Sequence, residues 1–330
     1  MEKAGSGLST FILKRLLTIP LSLLVVSIVC FAVIYVTPGD FVSNTLDDGR
    51  TTLETLNRTR AQLGIDQPPH LQYLNWVWGV LSRWDFGETF ESRRPVTGII
   101  GDRIAWTVVV SSLTLIFAWC VAIPLGIAAA LRKGTWFDYA VSVIGYTGLA
   151  VPDFLVALLA ISIVLNLGGT NISGLFSPEY IDAPWSWAKL WNMIQHLWLP
   201  LLVIGTSGIA GLMRLMRANL LDVLGHDYVR TARAKGLAGR VVVYRHALRN
   251  AINPLITIAG LSLDDIVTGT IIGSIILRLP TIGPVLYDAL LKKDQWLAMT
   301  MLVFSALMLM IGNLLADIAL ALSDPRIRYD

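Results

Sequence analysis

Long stretches without a charged side chain dominate this chain. Leu16 to Gly39, Ile104 to Leu131, Leu197 to Met213 and Gln295 to Ala316 contain no Asp, Glu, Lys or Arg. A helix needs about 17–25 predominantly apolar residues to cross the hydrocarbon of a bilayer, where every backbone polar group must be satisfied internally. Tyr139 to about Leu165 is equally apolar apart from Asp153, and Ala251 to Leu277 apart from Asp264 and Asp265. Six spans are therefore expected, and the fold class is an all-α integral membrane protein. Composition agrees: only 15% of the 330 residues are charged, against roughly 25% in a soluble domain.

The first stretch is too long for a signal-peptide core, and Thr37-Pro38-Gly39-Asp40 is not a small-residue cleavage site. It is expected to remain as the first helix. Cys30 and Cys120 both lie inside spans and imply neither a disulfide framework nor a metal site.

Lys and Arg accumulate in cytoplasmic loops. With the amino terminus inside, the inner pieces carry Lys3, Lys14, Arg15, Arg132, Lys133, Arg326, Arg328 and the cations between Arg214 and Arg249. The stretch from Gly225 to Asn250 holds Arg230, Arg233, Lys235, Arg240, Arg245 and Arg249 against the single acid Asp227. The outer pieces are mixed in charge. The expected topology is N-in, C-in. It divides the chain into residues 1–39 (amino terminus and first helix), 40–103 (external segment) and 104–330 (five-helix core). The external segment carries Tyr73, Trp76, Trp78, Trp84 and Phe86, and a second one, about 166–196, carries Trp185, Trp187 and Trp191. Such aromatics suit a membrane interface or a docking surface.

The most informative piece is the basic stretch from Tyr228 to Leu255, too polar to cross a membrane. Two short helices are expected, Asp227–Lys235 and Arg240–Ala251, broken by Gly236-Leu237-Ala238-Gly239. On physical grounds two readings stand side by side. The stretch seats in another protein's groove, or its cations hold it to anionic lipid.

The order of residues here resembles the cytoplasmic coupling loop of bacterial ATP-binding-cassette importer permeases. That motif reads Glu-Ala-Ala, three residues, Gly, about nine residues, then Ile-x-Leu-Pro. Arg230-Thr231-Ala232 stands at the first positions, Gly236 at the glycine and His246-Ala247-Leu248 at Ile-x-Leu, with Pro254 later. The leading acid is absent, so no role for it carries over. Ala232-Arg233-Ala234-Lys235-Gly236 and Arg245-His246-Ala247-Leu248-Arg249-Asn250 look like the dipeptide/oligopeptide/nickel branch of that family. Further similar blocks follow in the same order: Leu13-Lys14-Arg15-Leu16-Leu17, Thr37-Pro38-Gly39-Asp40, Leu63-Gly64-Ile65-Asp66-Gln67-Pro68, Gln72-Tyr73, Trp84-Asp85-Phe86-Gly87, Val151-Pro152-Asp153-Phe154-Leu155 and Asp324-Pro325-Arg326-Ile327-Arg328.

The resemblance implies a permease subunit in a bacterial inner membrane. It would be paired with a second permease as a heterodimer and served by two ATP-binding subunits and an external substrate-binding protein. Residues Arg230 to Leu237, with Arg245 and His246, would touch the ATPase. Di- or oligopeptides are the expected cargo. One departure keeps oligosaccharide import open as an alternative: Leu279-Pro280-Thr281-Ile282-Gly283-Pro284 stands where peptide-importing relatives read Phe-x-x-Pro-Gly-Leu-Gly.

No glycine is followed directly by lysine, so no phosphate-binding loop exists and ATP must be bound by other chains. His70, His196, His226 and His246 are scattered without metal-ligand spacing. No nucleophile–base motif is present, and nothing supports nucleic-acid binding. The chain is not expected to be an enzyme or to hold a cofactor. Asp264 and Asp265 lie mid-span, where a charge costs about 2.5–3.5 kcal/mol on insertion scales. They would line the translocation path or pair within the helix bundle. Asp153, after Pro152, would sit at a kink. A different class, an ion-driven secondary transporter, would accommodate the acids but leaves the basic loop unexplained.

Overall fold

The computed structural model describes residues 2–46, 52–168, 174–258 and 271–323. These residues are almost entirely helical, with one isolated β-bridge, Glu88 to Pro95. In chain order the helices are α1 (Glu2–Val36), α2 (Phe41–Leu46), α3 (Leu53–Leu63), α4 (Pro69–Arg83), α5 (Val96–Leu131), α6 (Trp136–Ala150), α7 (Asp153–Asn166) and α8 (Trp187–Leu224). Then come α9 (Asp227–Ala234), α10 (Gly239–Val241), a π-helical turn (Val242–Ala247), α11 (Leu248–Ala251), α12 (Ile271–Ile276), α13 (Ile282–Lys292) and α14 (Gln295–Ser323).

Among the described residues, four helices are long and apolar enough to cross a membrane: Ile12–Val36, Val96–Leu131, Trp187–Leu224 and Gln295–Leu320. Helices α6 and α7 together would make a fifth, but the chain turns through 105° between them. The third span expected from sequence, with a kink at Pro152, is thus broken more sharply than a kink, into two helices meeting at a corner. The cause is local. Proline disfavours the α region for the residue before it, and Val151 is extended (φ −84°, ψ 122°), while Pro152 stands as the N-cap of α7. Of the expected fifth span, residues 259–270 lie outside the described residues, Asp264 and Asp265 among them.

The chain divides into two units. One comprises Met1–Leu13, Val109–Leu279 and Leu309–Asp330. Its centre is α8, against which α6 and α7 pack. Small residues make the approach possible, as in membrane bundles generally. A Cβ on Gly126 of α5 would fall 2.7 Å from the Met213 carbonyl oxygen, and one on Gly148 of α6 would fall 3.0 Å from the Ala210 Cβ. A buried ion pair fastens the other end of α6. Arg217 donates from Nε and Nη2 to the two carboxylate oxygens of Asp138, at 2.5 and 2.8 Å.

The other unit comprises Lys14–Val108 and Pro280–Met308. Here the segment expected to be external folds into three short helices with explicit stops. Thr52 caps α3, accepting from the Thr55 N–H, and Gly64 ends it at φ +69°. Pro69 occupies the first turn of α4, where its missing N–H costs nothing. Phe41, Val42 and Phe90 form the core, with Leu56, Leu63, Ile65 and Trp296 packed around them. Trp76 and Phe86 are buried as well, and the Trp76 indole donates to the Phe86 carbonyl at 3.1 Å. Trp78 and Trp84 stay exposed, so the aromatics split between core and surface rather than forming one belt.

Candidate functional site

The basic stretch leaves α8 at Gly225 and turns at once into α9. Helix α9 has one apolar face. Val229 and Ala232, three residues apart, are buried, while Arg230, Thr231, Arg233 and Ala234 are exposed. The helix ends through Lys235, whose N–H bonds the Thr231 carbonyl at 3.0 Å. Gly236 follows at φ +76°, with its N–H on the Arg233 carbonyl at 2.9 Å. Nothing lies within 4 Å of where a Cβ would stand on Gly236. The position therefore demands glycine for its left-handed backbone and not for space.

The second helical piece begins at Gly239 and runs to Ala251, as the sequence implies, but its middle is π-helical over Val242–Ala247. Such an insertion rotates the residues after it relative to those before it. Here it lets Val242, Val243, Ala247 and Ala251 all turn inward, while Tyr244, Arg245, Arg249 and Asn250 face out. Val229, Ala232, Val242, Ala247, Ala251 and Leu255 join one cluster with Leu212, Met216, Leu220 and Val223 of α8. Each fully buried Val or Leu contributes about 1.5–3 kcal/mol, so the stretch is seated firmly. Two hydrogen bonds fix it further. Asn250 donates to the Tyr228 hydroxyl at 2.8 Å, joining its two halves, and Asn219 of α8 donates to the Ala251 carbonyl at 3.3 Å.

The seating leaves a charged outer surface. Arg230, Arg233, Lys235, Arg240, Arg245 and Arg249 are all exposed, and Leu237 and Tyr244 stand out among them as apolar projections. The pair Arg230–Asp227, at 3.6 Å, is fully in solvent and contributes little. Arginine forks suit carboxylates and carbonyl rims of a partner surface. Of the predicted contact residues, Arg230, Thr231, Arg233, Ala234, Lys235, Gly236, Leu237 and Arg245 lie on this surface, and His246 is half-buried. Ala232 points the other way, into the core. Asp264 and Asp265 lie outside the described residues. Sequence reasoning missed the π-helical turn, the Tyr228–Asn250 bond and the Asp138–Arg217 pair. Only the last had a signal, an acid at the edge of an apolar run.

Residues 122–329 match the family described as binding-protein-dependent transport system inner membrane component, and residues 8–114 match the family of amino-terminal segments of such membrane components. The oligopeptide transport system permease protein AppB of Bacillus subtilis is 34% identical over 325 residues, covering 98% of this chain and 100% of that protein. The dipeptide transport system permease protein DppB of Escherichia coli is 34% identical over 339 residues, covering 97% and 98%. A putative peptide transport system permease protein of Brucella abortus is 32% identical over 323 residues, covering 98% and 100%. These matches join the loop, the helices and the amino-terminal blocks into one pattern, and the chain belongs to the family of binding-protein-dependent transport system inner membrane components.

Proposed function

We propose that this chain is the permease subunit of an ATP-binding-cassette importer of di- or oligopeptides in a bacterial inner membrane. The observation that carries the reading is its similarity, end to end, to oligopeptide and dipeptide permeases. The three relatives named above are all described as peptide systems, which favours peptide over oligosaccharide cargo. ATP hydrolysis belongs to separate subunits, in keeping with the missing phosphate loop.

In this reading a second permease completes the pathway, two ATP-binding subunits sit beneath, and an external binding protein delivers cargo. The stretch 225–250 faces the cytoplasm, and its exposed arginines with Leu237 and Tyr244 engage the ATPase. The six-to-one charge excess and the coupling-loop resemblance support this placement. The segment 40–103 then lies outside. Asp264 or Asp265 lines the path, motivated by the cost of mid-span carboxylates.

The test is uptake of labelled tripeptide by proteoliposomes holding the whole complex. Uptake should require the binding protein and hydrolysable ATP. In the same vesicles, cysteines at Ala238 and in the ATPase groove should crosslink. Uptake driven by an ion gradient with hydrolysis blocked would overturn the proposal in favour of a secondary transporter. Labelling of Ala238→Cys from outside would overturn the topology.

A further inference from the structure

Within the unit of Lys14–Val108 and Pro280–Met308 lies a cavity of about 430 Å³. Its wall includes Thr37 to Asp40 at the end of the first span, Arg60 of α3, and Lys293 to Gln295 between α13 and α14. The amino-terminal blocks singled out in the sequence thus converge here, since Thr37, Pro38, Gly39, Asp40, Ile65 and Gln72 all face it.

Nearly every polar group on the wall is already satisfied. Asp40 accepts from Arg60 Nε at 2.6 Å, Arg60 Nη2 at 3.3 Å and the Ser43 N–H at 2.6 Å. Asp294, 3% exposed, accepts from the Phe90 N–H at 2.7 Å and the Leu297 N–H at 3.2 Å. Gln72 donates to the Ile65 and Gln67 carbonyls and accepts from Gln295. The neighbouring Lys292 is paired with Glu91 at 2.7 Å and Asp288 at 3.0 Å.

Lys293 is different. Among the described residues its ammonium has neither ion pair nor hydrogen bond, although the side chain is half-buried on the cavity wall. Its direction is set by an uncommon backbone conformation, φ +57°, which closes α13. Gly39, at φ +83°, makes room for it: a Cβ there would come within 2.9 Å of Nζ. Asp40 and Arg60 pair with each other and the Asp294 carboxylate is held by two backbone N–H groups, so the wall carries two acids and two bases, and what is unmet on it is hydrogen-bonding capacity: one ammonium with three donors. Its complement is a single carboxylate. The volume falls within the roughly 300–1,000 Å³ of small-ligand sites.

We propose that this cavity is a subsite for the free carboxylate of a small solute, with Lys293 as its anchor. The chemistry fits the terminal carboxylate of a short peptide and so rests on the peptide-permease reading.

The test is lysine acetylation of the assembled complex in nanodiscs, without binding protein, followed by mass-spectrometric quantification of Lys293 against Lys292. Trialanine should slow acetylation of Lys293 and leave Lys292 unchanged. Trialanine amide, which lacks the carboxylate, should need roughly tenfold higher concentration for the same protection. Equal protection by acid and amide, or none by either, overturns the proposal. Protection by substrate-free binding protein alone also overturns it, because the cavity would then be a protein contact. Protection is read without turnover, so a complex that imports no peptide refutes the transport reading and leaves this readout standing.

Discussion

Replacing one partner of the Asp138–Arg217 pair should be far more harmful in one direction than the other. Asp138 is 3% exposed at its side chain and Arg217 28%. In Arg217→Met the carboxylate keeps only the Gly134 N–H at 3.0 Å. It must either stay charged in a dry site or take up a proton. Protonating an ordinary aspartate at pH 7 costs about 4 kcal/mol, which caps the loss. A loss of about 3–4 kcal/mol is therefore expected, in line with breaking a buried pair. In Asp138→Asn the stranded guanidinium reaches water, and the amide still accepts one bond, so the loss should be about 1–2 kcal/mol. The double variant removes the stranded charge altogether and should recover much of the Arg217→Met loss. Thermal denaturation of the purified complex, followed by size-exclusion of the surviving oligomer, reads all three. If Arg217→Met is no worse than Asp138→Asn, or if the two losses simply add in the double variant, the pair is not the buried lock between α6 and α8 described above.

Two further outcomes are expected. Gly236→Val should impair coupling of ATP hydrolysis to uptake while the complex still assembles, at a conformational cost of about 1–2 kcal/mol. Gly236→Asn should retain more coupled uptake, because Asn tolerates the left-handed region, and equal effects of Val and Asn would point away from φ. Burial raises the Asp294 carboxyl to about 6; the Phe90 and Leu297 N–H groups oppose this, and Glu91 and Asp288 add to it. The folded state thus holds this proton to higher pH than the unfolded chain, so the contribution is favourable at low pH and fades as pH rises from about 4 through 6. Melting of the wild type should fall across that window, and Asp294→Asn should flatten the fall; an unchanged slope would refute the assignment.

Much of this was legible before any coordinates. Apolar runs long enough to span a bilayer are a bulk property of residue order, and they announced the helices of all four long crossings. The glycine break at Gly236 and the two flanking helices were also readable, because a left-handed stop and a three-residue apolar spacing are local signals. The 105° corner at Pro152 was read too mildly, as a kink, since proline marks a boundary but not the angle that follows it.

Other features depended on partners remote in sequence. The π-helical turn over Val242–Ala247 brings Val242, Ala247 and the following Ala251 into the cluster beside α8, a packing that no local sequence signal announces. Asp138 finds Arg217 from 79 residues away. Lys292 and Lys293 are chemically identical neighbours in the chain. Residue order therefore dictated a membrane-spanning helical chain with a basic, glycine-hinged loop. Only the tertiary structure decided that Lys292 would meet two carboxylates while Lys293, turned aside by its left-handed backbone, would face a cavity with no hydrogen-bond or ion-pair partner among the described residues.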